Sequence, residues 1–197
     1  LRNKINKKQL DKFNFYLSRR KKREPIAYIL RKKEFWRNNF YVNRDVLIPR
    51  PETEFLVDET LKIISNYQKK RLLEIGIGSG CIITSILKDR KNCYATGIDC
   101  CKKAIKIAKT NVKLHQIENR IKIFKSDVDN FVTGKYDLII SNPPYIDRHQ
   151  LKYLGVSEFE PCKALDGGVN GTEILRKVIV KASQLLKTNG KLIIEIG

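Results

Sequence analysis

From residue 72 to the end of the chain, short β-branched apolar runs alternate with longer segments of helical period, and few folds accommodate that alternation. The runs at 72–75, 94–98, 121–124, 136–141 and 191–196 read as strands. Between them, 81–88, 102–115 and 172–186 read as helices. The second helix carries Ala104, Ile105, Ala108, Val112 and Leu114 on a largely 3.6-period apolar face. The third carries Ile174, Leu175, Val178, Ile179, Ala182 and Leu185. Strand–helix alternation of this kind predicts an α/β fold, a Rossmann-like parallel sheet covered by helices.

The first seventy residues read differently. Residues 8–20 predict a short helix, and 26–30 with 40–42 predict a β-hairpin. Residues 51–64 predict a further helix with Pro51 near its first turn and Glu52 and Glu54 close to its positive end. Residues 146–171 form a polar, Gly-bearing connection, a length at which a segment is functional or disordered. The chain opens on Leu1, contains no methionine and stops on a strand, which is what a fragment is expected to look like.

A chain of 197 residues fits one domain, and 42% hydrophobic with 31% charged residues describes a globular protein. No apolar run reaches the roughly 18 residues of a membrane span, and no signal peptide opens the chain. Five cysteines, including the adjacent Cys100-Cys101, lack disulfide or zinc spacing, and only His115 and His149 are available as imidazole ligands. No metal site is expected, and a reducing cytoplasm is the natural setting. The net charge of +19 fits an acidic partner, or equally the lysine-rich drift of an AT-rich genome, because the lysines are spread along the chain. Only Arg19-Arg20-Lys21-Lys22-Arg23 is a cluster.

Four residues after the fourth strand describe a ligand. In Asn142-Pro143-Pro144-Tyr145 the prolines remove two backbone donors and stiffen the loop, so carbonyl oxygens face outward. Asn142 adds a side-chain acceptor and Tyr145 an aromatic face. Such a loop, beyond the carboxyl end of a parallel strand, suits a planar NH2 group. The first strand runs into Gly76-Ile77-Gly78-Ser79-Gly80, whose spacing is G-x-G-x-G rather than the dinucleotide-binding G-x-G-x-x-G. That spacing favours S-adenosylmethionine. Asp99, about twenty residues on, stands where an acid accepts hydrogen bonds from ribose hydroxyls. Asp127 is placed to accept from an adenine amino group and Val128 to pack on its ring, although Ser126-Asp127 also reads as a turn and helix start. Glu74 fits either a contact to the methionine ammonium or a solvated strand-end acid. Phe35 and Trp36 fit either the core or the cofactor wall. No cysteine has a His or Asp at catalytic spacing.

These residues together resemble the HemK/PrmC family of release-factor glutamine methyltransferases. The resemblance is carried by Glu24-Pro25-Ile26-Ala27-Tyr28-Ile29, Lys33-Glu34-Phe35-Trp36 and, most specifically, Leu47-Ile48-Pro49-Arg50-Pro51-Glu52-Thr53-Glu54. It continues through the glycine loop, Ser141 to Ile146, Phe159-Glu160-Pro161, Ala164-Leu165-Asp166-Gly167-Gly168, Asn170-Gly171 and Glu195-Ile196-Gly197. It implies a class I S-adenosylmethionine-dependent methyltransferase sheet lacking its last strands. The substrate it implies is the glutamine amide in the Gly-Gly-Gln motif of peptide chain release factors. Gly76 to Gly80, Asp99, Val128 and Asn142 fall on cofactor positions; Asn142, Pro143, Pro144 and Tyr145 fall on the substrate clamp, with Asn142, Pro143 and Tyr145 as the catalytic set. Arg50, Pro51 and Thr53 border the glutamine pocket.

The implied organisation is a remnant of an N-terminal helical domain at 1–24, a β-hairpin linker at 25–50 and the catalytic domain at 51–197. A monomer that needs no nucleic acid is expected. Two positions depart from the pattern: Arg23 and Arg37 stand where the family usually has glycine, which questions the local turns. The alternatives are a nucleic-acid methyltransferase acting on an adenine or guanine amino group, and a binding module that has kept only the fold.

Overall fold

The computed structural model describes residues 5–197, the side chains of residues 156 and 157 excepted. Helix α1 (Lys7–Lys21) begins at Asn6, whose side chain accepts from the Gln9 amide while the Gln9 side chain accepts from the Asn6 amide. It buries no residue, and its end is fastened by Arg19, which donates twice, at 2.7 Å each, to the buried Glu24 carboxylate. Among the described residues no helix is long and apolar enough to cross a membrane.

The expected hairpin at 26–30 and 40–42 is not what forms. Residues Ile26–Leu30 make a short helix, α2, started by Pro25 at φ −56°. Helical spacing buries the neighbours Tyr28 and Ile29 and exposes Ile26 and Leu30, a division that strict alternation would not produce. An apolar run of five residues carries too little period to decide this in advance. The hairpin lies just beyond, with β1 (Lys33–Phe35) antiparallel to β2 (Asn38–Phe40) and Phe35 opposite Asn38. Its two turn residues, Trp36 and Arg37, have φ of 47° and 57°, the pair of left-handed conformations that a tight hairpin requires. Arg23 is left-handed as well, at φ 63°. Both arginines thus adopt the backbone that glycine would adopt, and the turns survive the substitution.

Helix α3 (Glu54–Ile63) starts three residues later than expected. Pro51 and Glu52 lie instead in consecutive tight turns, with the amides of Thr53, Glu54 and Phe55 each bonded to the carbonyl three residues back. The remaining elements follow the predicted alternation: β3 (Arg71–Ile75), α4 (Cys81–Asp89), β4 (Tyr94–Asp99), α5 (Lys102–Leu114), β5 (Ile121–Lys125), β6 (Tyr136–Ser141), the single-turn α6 (Arg148–Leu151), α7 (Glu173–Leu185) and β7 (Leu186–Ile194). Strand β7 begins earlier than expected. It pairs regularly with β6 only from Lys191 to Ile194, and the residues before Lys191 bulge out, with Asn189 left-handed at φ 62°.

The five long strands form one parallel sheet in the order β5-β4-β3-β6-β7. Leu72, Leu138 and Ile140 face α3, α4 and α5 on one side; Leu73, Ile75 and Ile139 face α7 on the other. Burial on both faces explains why these strands read as continuous apolar runs. On α5 the expected apolar face is off by one residue, since Leu114 is exposed and Asn111 is fully buried. On α7, Ile179 is half exposed.

Asn111 explains how the segment after β2 is held to the sheet. Its Oδ1 accepts from the Tyr41 amide at 2.7 Å, and its Nδ2 donates to the carbonyls of Tyr41 and Ser79 at 2.9 and 2.8 Å. One buried amide therefore satisfies three backbone groups and fixes the loop after β3 to the segment after β2.

Two outcomes are expected. Arg37→Gly removes a left-handed penalty of about 1–2 kcal/mol against a smaller glycine entropy term, so stability to urea rises by roughly 0.5–1 kcal/mol. Asn111→Leu strands three buried backbone groups and lowers stability by roughly 2–4 kcal/mol, read from the same unfolding curves.

Candidate active site

Strands β3 and β6 lie side by side, but the chain leaves them in opposite directions, towards β4 and towards β7. At such a switch point the loops diverge and leave a crevice beyond the carboxyl ends of the strands. A cleft of about 520 Å³ occupies this crevice, walled by the loops after β3, β4, β5 and β6 together with the 45–53 and 161–166 segments.

The glycine loop forms its floor. Gly76, Gly78 and Gly80 all have positive φ, at 76°, 52° and 77°, which lets the backbone double back within five residues. The amides of Gly76 and Ile77 both donate to the Ile98 carbonyl at 2.9 Å. Gly97 lacks a Cβ that would collide with the Ile77 side chain, so the loop can fold across β4. Asp99 closes the arrangement: Oδ2 accepts from Gly78 N at 3.0 Å and Oδ1 from Cys101 N at 2.8 Å. Burial raises its pKa despite those two amides, so the site holds an acid whose charge gains from further donors. A carboxylate has about four acceptor positions, and two are taken.

Glu74 is 1% exposed, which removes the solvated reading. Its Oε2 accepts from Ile83 N at 3.2 Å, and burial, with Asp99 nearby adding repulsion, pushes its pKa well up. It lines the cleft as an acid that a cation would return to its charged form. Asp127 is exposed, and its carboxylate accepts from the backbone and side chain of Asn130 at 2.9 Å each, the turn geometry that the sequence also allowed. Asp127 and Val128 both line the cleft.

Asn142, Pro143 and Pro144 form the facing wall. Asn142 Nδ2 donates to Thr53 Oγ1 at 3.1 Å, and among the described residues no donor is bonded to Oδ1. Ser141, directly before it, is fully buried and donates from Oγ to the Ile75 carbonyl at 2.8 Å, so the ends of β3 and β6 are tied by a side chain as well as by the ladder. The loop is held from behind: Ile146 N bonds to the Leu165 carbonyl, and Gly167 N to the Ile146 carbonyl. A Cβ on Gly167 would stand 2.7 Å from Tyr145 Cα, so this approach requires glycine. Three expected residues lie off the cleft wall: Gly80 at the start of α4, Pro51 in its turn, and Tyr145, which is 40% exposed.

The long connection at 146–171 is ordered against the site. Glu160, 6% exposed, accepts from Ile48 N at 3.0 Å and from Arg50 at 2.6 Å. This half-buried pair ties the Leu47 to Glu54 block to the opposite wall, a pairing across 110 residues that no local pattern announces. Arg50 lines the cleft, but Glu160 engages its guanidinium. Phe35 is buried in the core and Trp36 packs beside it, with Nε1 donating to Asp89 at 2.8 Å; neither reaches the cleft. Cys81 lines the cleft as a buried thiol pushed up to about 12, which suits packing and not nucleophilic attack.

The comparisons with known proteins agree with this geometry. The family model described as methyltransferase small domain matches residues 52–159. The release factor glutamine methyltransferase of Caulobacter vibrioides is 35% identical over 196 residues, covering 98% of this chain and 68% of that protein. A bifunctional methyltransferase of Rickettsia typhi is 36% identical over the whole chain, which spans 42% of its length. Among solved structures, a methyltransferase from Pyrococcus furiosus matches 96% of this chain and 78% of its own with a TM-score of 0.56 at 17% identity, a likeness of fold. Cleft, loops and relatives agree: the chain belongs to the release factor glutamine methyltransferase family.

Proposed function

We propose that this chain methylates the side-chain amide nitrogen of the glutamine in the Gly-Gly-Gln motif of peptide chain release factors, with S-adenosylmethionine as donor. One observation carries the reading. Asn142, with its NH2 turned to Thr53 and its oxygen left for the cleft, faces a glycine loop and an under-satisfied Asp99 across the same crevice. When bound, S-adenosylmethionine supplies a methyl group on a positively charged sulfur, and a nitrogen–carbon bond forms as the sulfur–carbon bond breaks.

The residues fit both ligands. Asp99 accepts from the ribose hydroxyls with its two remaining positions, Val128 packs on the adenine with Asp127 at its edge, and Glu74 accepts from the ammonium group. The left-handed glycines of the floor let the ligand approach the backbone closely. On the facing wall, Asn142 Oδ1 and the Pro143 carbonyl accept the two N–H bonds of the glutamine amide. An amide nitrogen is a poor nucleophile because its lone pair is delocalised, so the protein contributes orientation: both N–H bonds are held and the lone pair faces the glycine-loop side. Neither acceptor changes protonation, and the amide proton leaves to solvent afterwards. Arg50 and Thr53 border the glutamine pocket, Arg50 through its pair with Glu160, while Pro51 stays in its turn off the cleft wall.

Mass spectrometry of a release factor after incubation with protein and donor is expected to find one added methyl, on the glutamine. Methyl appearing in RNA and not in the release factor overturns the reading. Asn142→Ala is expected to abolish turnover while leaving donor affinity within about tenfold, since it removes an interaction with the acceptor alone. Asp99→Ala is expected to weaken donor binding by 1.5–3 kcal/mol, roughly tenfold to a hundredfold, by calorimetry.

A further inference from the structure

The orientation of the Asn142 amide is what makes it a clamp. Turned by 180°, the same side chain would present NH2 to an NH2 substrate. Thr53 Oγ1 holds one of the two Nδ2 hydrogens at 3.1 Å, but a hydroxyl can accept or donate and does not by itself choose between the two orientations. A group that can only accept is needed behind it.

Glu195 stands there. Its backbone N–H donates to the Ser141 carbonyl at 3.0 Å, which continues the β6–β7 ladder to the position beside Asn142. Its Oε2 is buried with no hydrogen-bond partner among the described residues, and the Thr53 hydroxyl and the Asn142 amide are the side-chain donors that act on the carboxyl. Glu195 does not line the cleft; it backs the wall that Asn142 and Thr53 form. Burial raises its pKa, and hydrogen bonding from Thr53 and Asn142 works against that rise, as expected of a carboxylate receiving donors.

We propose that Glu195 is a positioning residue for Asn142: with Thr53 it takes up both hydrogens of the Asn142 amide, so that Oδ1 is the atom presented to the substrate. The Thr53 hydroxyl accepts from Asn142 and donates to Glu195, and a flipped amide would set its oxygen against the carboxylate. The proposal rests on the reading of Asn142 as the acceptor for a glutamine amide, but the orientation itself is measurable without substrate.

Three measurements on the full chain test it. By NMR, the Asn142 side-chain NH2 signals, assigned by their loss in Asn142→Asp, are expected to exchange with solvent at least about tenfold faster in Glu195→Leu than in the wild type. Turnover on a release factor is expected to fall roughly tenfold to a hundredfold in Glu195→Leu with KM for the donor within about threefold, because alignment is lost and donor binding is not. The decisive pair is a swap. Asn142→Asp sets two carboxylates together and is expected to be inactive. Adding Glu195→Gln supplies a donor that again leaves an acceptor oxygen facing the cleft, and should restore at least about tenfold of turnover over Asn142→Asp alone, where merely structural damage would accumulate. Unchanged NH2 exchange in Glu195→Leu, or a swap no faster than Asn142→Asp, overturns the proposal. A wild-type chain that leaves release factor unmethylated overturns the functional reading instead, with the exchange measurement still deciding the role of Glu195.

Discussion

Strand β3 is hydrogen-bonded on both sides, to β4 through Arg71–Ile75 and to β6 through Leu72–Ile75, and the site follows from that placement. Because both neighbours run parallel to it, the loops that leave all three strands emerge at one end. Because the chain then proceeds outward in two directions, the described residues leave a cleft between the loop after β3 and the loop after β6. The ends cannot drift apart, since Ser141 Oγ is bonded to the Ile75 carbonyl and the Gly76 and Ile77 amides to the Ile98 carbonyl. An acceptor loop and a glycine loop are thereby brought face to face on a rigid support, the arrangement that preorganised chemistry requires.

Three polar side chains finish what the sheet begins. Asn111 ties the loop after β3 to the segment after β2, Glu160 ties the Arg50 block to the far wall, and Asp99 binds the glycine loop to the turn after β4. Asn111 and Glu160 are buried, where an unmade hydrogen bond is costly and a made one is directional. The exposed ion pairs, such as Lys62 with Asp58 and Glu59, contribute little by comparison. Charge at the site is correspondingly asymmetric: Asp99 and Glu74 both have raised pKa values from burial in a protein of net charge +19. The cleft therefore holds two acids that a cation or added hydrogen-bond donors would return towards their charged forms.

Much of this was legible before any coordinates. The strand alternation from residue 72 onward predicted the sheet, and the glycine loop, Asp99 and Asn142 were placed at strand ends where the structure has them. The differences lie mainly where segments are too short to carry a period. Residues 26–30 hold five apolar side chains, too few to separate α2 from a strand, and the helix at 51–64 begins late because tight turns precede it. The face of α5 differs from its apolar pattern at Leu114 for a different reason: hydrophobicity marks a likeness to oil, whereas Asn111 is buried for its three hydrogen bonds. A polar residue on the seam of an apolar stripe was the available signal.

The sequence by itself determined the chemistry on offer, since prolines without amide hydrogens, an amide acceptor and a G-x-G-x-G turn are properties of residue types at short spacing. It also determined that Arg23 and Arg37 would stand where glycine is expected, though not that they would accept left-handed backbone there. Only the tertiary structure decided which atoms face the cleft. The orientation of Asn142, the engagement of Arg50 by Glu160 and the placing of Glu195 near Thr53 depend on contacts between segments 89 to 142 residues apart. Local propensity acts over a few residues and is silent at that range; the packing of the sheet brings the distant segments within hydrogen-bonding distance.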